Sequence, residues 1–365
     1  MAEPEAQQRV LNRSDLVILV GGGLAIIAAG ITRYAHASTL LAFVCSALAV
    51  ALLASLVGRS VEQMGDRFGP GATGVLQSAL GNLPELFIAF FALRAGLLVV
   101  VQSAIIGSML ANLLLVLGLA FVAGGLRNGT QRFEKSRARD TCVLLALATA
   151  ALVLPSMAQE THSPAGSHIR VLSDIAAVVL LIIFALSLPA SLRRRPTGGQ
   201  AAGAPAAPAH EPARWPLWLA VGLLAAAGGA SALVSDWFVT ALQPAIETLH
   251  LSQAFAGLVV VAIAGNAVEN VVGIQLALRN QADYALSVII NSPLQIALVL
   301  APALVLLSLL TATTLTLVFA PMLVAAVVVT VLIVSLIVFD GESNWLEGAT
   351  LIGLYVIIAA VFWWG

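Results

Sequence analysis

Two acidic residues stand where an apolar chain least tolerates them. The stretch Gly81-Asn82-Leu83-Pro84-Glu85 returns as Gly265-Asn266-Ala267-Val268-Glu269, and both copies lie inside long apolar runs. A carboxylate at membrane depth costs about 2.5–3.5 kcal/mol on insertion scales, so an intramembrane acid is by default a functional group. The offset between the copies is 184 positions (81 to 265, 85 to 269), and the same offset carries Ser108 onto Ser292. Ala92-Leu93-Arg94 and Ala277-Leu278-Arg279 lie 185 apart, so the ungapped match is local. A duplicated architecture with two acids facing each other predicts a cation site between repeats.

The residue types fit a hard cation. Glycine beside a polar residue in mid-membrane loosens the helix, and released carbonyls become oxygen ligands. Calcium takes about six to eight oxygens at about 2.3–2.6 Å from carboxylates, amides, carbonyls and water. Glu85 and Glu269 would neutralise one dication, with Asn82, Asn266, Ser108 and Ser292 adding neutral oxygens. Without a dication, two desolvated carboxylates with no basic neighbour favour taking up protons. A site stable in either form has the chemistry of exchange. Plainer roles exist for the neutral residues. The asparagines can cap or bridge broken helices, the serines can bond back to helix carbonyls, and Gln102 and Gln295 can link helices. Asp236, Glu247 and Glu62 lie near helix ends, where solvation is the better reading for most, though any could line an ion entrance.

The elements that must position these groups are membrane helices. The chain is 60% apolar and 10% charged, with a mean hydropathy of +1.01. A soluble domain needs more surface charge than that. Cys45 and Cys142 fall in apolar runs and read as free thiols. About 20 apolar residues cross a bilayer core, and such runs occur near 15–32, 37–58, 72–94, 97–123, 141–158, 171–190, 215–240, 254–279, 284–310, 316–338 and 345–364. Runs this long exclude barrel strands. The expectation is an all-α polytopic protein of about eleven spans. Of the 17 basic residues, all but Arg33, Arg94 and Arg170 then fall on one side, which puts the N-terminus in the cytoplasm and the C-terminus outside.

The Pro-, Ala- and Gly-rich stretch from Pro196 to Pro216 has no apolar period and reads as flexible linker. The expected division is residues 1–36 as tail and extra first helix, 37–190 and 215–365 as five-helix repeats, and 191–214 as cytoplasmic linker. An odd number of helices per repeat inserts the second copy upside down, a recurring transporter plan with the site at the midplane.

Three segments of the first half carry a resemblance: Gly81 to Leu86, Gln102-Ser103-Ala104-Ile105-Ile106-Gly107-Ser108, and Asn112-Leu113-Leu114-Leu115-Val116-Leu117-Gly118. They are similar to the first repeat of calcium/proton antiporters, within the calcium/cation antiporter superfamily. Gly265 to Glu269, Ser292 and Leu294-Gln295-Ile296-Ala297-Leu298 resemble the second repeat. The resemblance spans residues 37–364. It implies an eleven-helix alternating-access transporter that exports calcium against inward protons, with Glu85 and Glu269 as the carboxylates. Asn112, Gln102, Gln295 and Asn270 are accessory candidates. Asn270 stands where the family usually has histidine, Asn291 and Pro293 replace small residues around Ser292, and Ala111 replaces a common serine. The acidic helix many members carry between halves is lacking. Pro84 is similar to the sodium/calcium branch, whereas the asparagines favour proton coupling. A sodium-driven exchanger is therefore the alternative, with a cation channel after it. An enzyme is not expected, since neither His-Glu-x-x-His nor Gly-x-Ser-x-Gly occurs. The expected partners are a divalent cation and protons as substrates and a lipid bilayer, with no cofactor and no nucleic acid, and a homo-oligomer is left open. The expected location is a bacterial inner membrane.

Overall fold

A computed structural model of the protein describes residues 11–35, 38–68, 76, 80–193 and 214–364. Helix α1 (Arg13–Tyr34) starts at a capping box, with Asn12 receiving a backbone N–H and Asp15 answering. It packs on α2 (Thr39–Phe68). There follow α3 (Leu83–Arg94), α4 (Leu98–Asn128), α5 (Lys135–Glu160) and α6 (Ile169–Arg193). The second half holds α7 (Leu217–Thr248), α8 (Gln253–Gly265), α9 (Ala267–Leu278), α10 (Ala282–Ser308), α11 (Pro321–Phe339) and α12 (Trp345–Trp363). The only sheet among the described residues is an antiparallel pair, β1 (Gln131–Arg132) with β2 (Glu342–Ser343).

Among the described residues nine helices are long and apolar enough to span a membrane, and α8 with the rest of α9 makes a tenth, bent by 62°. The expected span 72–94 is described as a helix only from Leu83 onward, so its first part lies outside the described residues, as do 194–213 of the expected linker. The expected all-α membrane architecture stands. The bent span is the apolar run expected over 254–279, and it breaks at Asn266, where the Gly-Asn pair was expected to loosen the helix.

Where both halves are described, their elements correspond. Helices α3 and α9 are each 12 residues long and begin 184 positions apart, as do α4 and α10. Packing follows the same exchange. Helix α3 lies against α7 and α9 against α2; α4 lies against α12 and α10 against α6; α4 touches α9 as α10 touches α3. This arrangement makes the two helix breaks neighbours at the centre. Two glycines allow the central crossing of α4 and α8. A Cβ on Gly107 would stand 2.3 Å from the Leu258 carbonyl oxygen, and one on Gly257 2.3 Å from that of Val100. The backbones therefore touch directly, as small-residue membrane interfaces do.

Helix α1 is tied to the core at one end. Buried Asp15 accepts from Arg59 of α2 at 2.5 Å and from the Trp215 indole N–H at 3.3 Å. The Arg67 guanidinium donates to the Trp215 carbonyl. Basic residues assigned to one membrane face thus share one end of the bundle here.

Candidate functional site

Glu85 sits in the first turn of α3, where Asn82 departs from helical backbone (φ −93°, ψ 17°) and Pro84 occupies a position that needs no N–H donor. Asn266 has the same backbone, φ −95° and ψ 19°, between α8 and α9. The duplicated Gly-Asn therefore gives the asparagine the same non-helical backbone twice, each time just before a 12-residue helix. Helix dipoles at such breaks turn positive ends toward an anion. Both glutamates occupy the third position of a helix.

Glu85 is buried, and one carboxylate oxygen accepts from the Asn266 amide at 2.6 Å and from the Ser108 hydroxyl at 2.9 Å. The Asn266 amide nitrogen also lies 2.9 Å from Ser108 Oγ and from the Ala262 carbonyl. Asn266 Oδ1 faces the other way, accepting from Asn112 at 2.9 Å and Ser292 at 3.3 Å. The backbone helps pack this cluster: a Cβ on Gly265 would stand 2.5 Å from Glu85 Cγ. Only glycine lets the α8 end approach the carboxylate stem so closely.

Four helical segments thus bring together Glu85, Ser108, Asn112, Asn266 and Ser292, each at most 7% exposed. Glu269 is placed by its backbone at the third position of α9, but its side chain lies outside the described residues. Asn82 is half-buried with its amide nitrogen unpartnered, and the buried Oδ1 atoms of Asn112 and Asn270 also lack partners. Unpartnered buried polar atoms are rare and call for an explanation, and a ligand held between them would be one. Asn266 departs from the expected oxygen ligand, because it turns its N–H groups to Glu85. Gln102 donates to the Val318 carbonyl at 2.5 Å in the α10–α11 connection, which matches its plainer role as a link between segments. Gln295 closes the α-helical part of α10 and is half-buried.

Sequence reasoning missed the π-helical turns. Ala111–Val116 lies in α4, Ala256–Val261 in α8 and Ile296–Leu300 in α10. Each lies within five residues of Ser108, Asn266 or Ser292. Such bulges gather at functional sites because they re-aim side chains and free carbonyls. No residue-type signal marks them. Along α7, Asp236, Thr240, Gln243 and Glu247 recur at helical spacing. With Phe91 and Arg94 of α3 they line a cavity of about 500 Å³. Two of the acids first placed at helix ends thus face a cavity reached from the far end of the Glu85 helix.

The profile of the family described as sodium/calcium exchanger protein matches residues 38–193 and 219–364. A Ca(2+)/H(+) antiporter of Aphanothece halophytica is 35% identical over 332 residues, covering 88% of this chain and 89% of that protein. The Ca(2+)/H(+) antiporter ChaA of Bacillus subtilis is 35% identical over 346 residues, covering 94% and 97%. The solved structure of native YfkE superposes with a TM-score of 0.80 at 31% identity, covering 95% of this chain and 99% of that one. The crystal structure of an H+/Ca2+ exchanger, CAX, shares the fold at a TM-score of 0.74 and 16% identity, covering 96% and 92%.

Proposed function

The chain belongs to the sodium/calcium exchanger protein family, and from that premise we propose that it exchanges calcium for protons across a membrane by alternating access. It is an integral membrane protein and a transporter by family. The observation that carries the reading is Glu85: a buried carboxylate at a helix break, held by one amide and one hydroxyl, in a chain that repeats the same break at Asn266. The relatives described above as Ca(2+)/H(+) antiporters favour proton coupling over the sodium-driven alternative.

In this reading Glu85 and Glu269 together hold one dication, and Asn82, Ser108 and Ser292 supply neutral oxygens. Each proton taken up by either carboxylate removes a negative ligand, so protons and calcium compete for the same oxygens. Burial makes that competition strong, since an uncompensated charge in a dry site is costly. The inversion of 37–190 relative to 215–365 lets the same site open to either face, with the N-terminus cytoplasmic.

Reconstituted vesicles test this directly. An imposed pH gradient, alkaline on the calcium side reached last by protons, should drive calcium accumulation against its own gradient. Accumulation driven by sodium alone would replace the proton reading with the sodium one. Downhill leak without accumulation would favour a channel.

A further inference from the structure

Two neighbouring amides near Glu85 have their orientation fixed by backbone. The Ser108 carbonyl can only accept, and Asn112 approaches it at 2.9 Å, so the atom facing it must be the Asn112 amino group. That same nitrogen lies 2.9 Å from Asn266, so the Asn266 atom facing it must be the carbonyl oxygen. The Asn266 amino group is then turned toward the Ala262 carbonyl, also an obligate acceptor, and toward Glu85. Two backbone carbonyls on different helices enforce one answer. Rotating Asn266 by half a turn would set amino group against amino group at Asn112. It would also set oxygen against oxygen at Ala262 and Glu85.

We infer that Asn112 is a positioning residue that holds Asn266 as a hydrogen-bond donor to Glu85, so that the site keeps this cation-excluding arrangement until the Asn112–Asn266 bond is broken. The amide hydrogen stands on the carboxylate oxygen where a cation would. For Asn266 to offer oxygen to an ion beside Glu85 it must turn over, and Asn112, itself anchored to Ser108, opposes the turn. The lock belongs to one half only: 184 positions after Asn112 stands Ile296, which has no amide. Asn112 lies inside the π-helical turn Ala111–Val116 and is fully buried, with its own Oδ1 unpartnered. That orphan oxygen is unusual in a buried asparagine.

This inference rests on the calcium/proton reading for its ion, and the test separates the two. Calcium is titrated calorimetrically into the purified full-length chain at one fixed pH, for the unmodified protein and for Asn112→Leu. Loss of one net hydrogen bond should tighten calcium binding by about three- to tenfold. In an Asn266→Ala background, where nothing is left to hold, Asn112→Leu should leave the affinity unchanged. A merely structural defect, or a role of Asn112 as ligand, weakens binding instead, and either result overturns the inference. So does an equal shift in both backgrounds. Thermal melting checks folding, and Asn112→Ser, smaller and polar, must give the same sign if the leucine variant does not fold. If the unmodified chain binds no calcium, the calcium/proton reading falls while the same comparison with manganese still decides the lock.

Discussion

Glu85 gathers its chemistry from groups far apart in the chain. Its carboxylate meets Ser108 after 23 positions and Asn266 after 181. Glu85→Gln keeps the shape of the side chain and removes the charge. Calcium-for-proton exchange in vesicles should fall to background while the thermal melt stays within a few degrees of the parent; retained exchange would remove Glu85 from the site. Gly265→Ala tests the packing instead. A methyl placed 2.5 Å from Glu85 Cγ must displace the carboxylate stem. The expected cost is about 1–3 kcal/mol of stability, with reduced calcium affinity, measured by melting and titration. The residues of this cluster were legible, because polar groups inside apolar runs identify themselves by cost. The direction in which Asn266 points was not, since it depends on Asn112 and on two carbonyls of neighbouring helices.

Helix breaks and bulges set the geometry at the next scale. The break at Asn266 follows from Gly-Asn, as expected, but the π-helical turns have no sequence mark. They arise where packing rather than local preference decides the hydrogen-bonding pattern. Close crossing of α4 and α8 is the element-level requirement. Gly107→Val would force the helices apart, and loss of about 3 kcal/mol together with exchange activity is expected in melting and vesicle assays. A stable, active Gly107→Val would mean that the crossing is not needed. Helix α9 carries a further test at Asn270, whose Oδ1 is buried and unpartnered. Asn270→His adds a group that is cationic at low pH and neutral at high pH, with its change falling between about pH 5 and 8. Its positive form repels calcium from the adjacent acids, so calcium affinity should rise more steeply with pH than in the parent. An unaltered affinity profile across that range would place residue 270 outside the ion's electrostatic reach.

For the molecule as a whole, exchange of the halves preserves the packing: α3 with α7 becomes α9 with α2. That regularity fits a duplicated fold; the proposed inversion of the second copy would place residues 135 and 203 on the cytoplasmic face and residue 165 outside. Single cysteines at the three positions, in a chain with Cys45 and Cys142 replaced, should react with an impermeant reagent from those faces. Labelling of 135 and 203 from opposite faces would break the span count and the inversion together. The β1–β2 bridge adds an attachment the helix count did not foresee, joining the α4–α5 and α11–α12 connections at Gln131 and Ser343.

The sequence by itself determined the class, most span boundaries, the duplication and the acids. The class, the spans and the acids follow from transfer energy summed along a segment, and the duplication from the 184-position offset of the motif; neither needs knowledge of neighbours. It also determined where α8 ends, because Gly265-Asn266 weakens helix locally. Tertiary structure alone decided which atoms face Glu85, which amide end is the donor, where the helices bulge, and that Asp236 and Glu247 line a cavity with Arg94. Those facts depend on contacts between separate helices, from Ser108 on Glu85 at 23 positions to Asn266 on Glu85 at 181, where hydrogen-bond direction is set by the partner's chemistry and not by the residue's own.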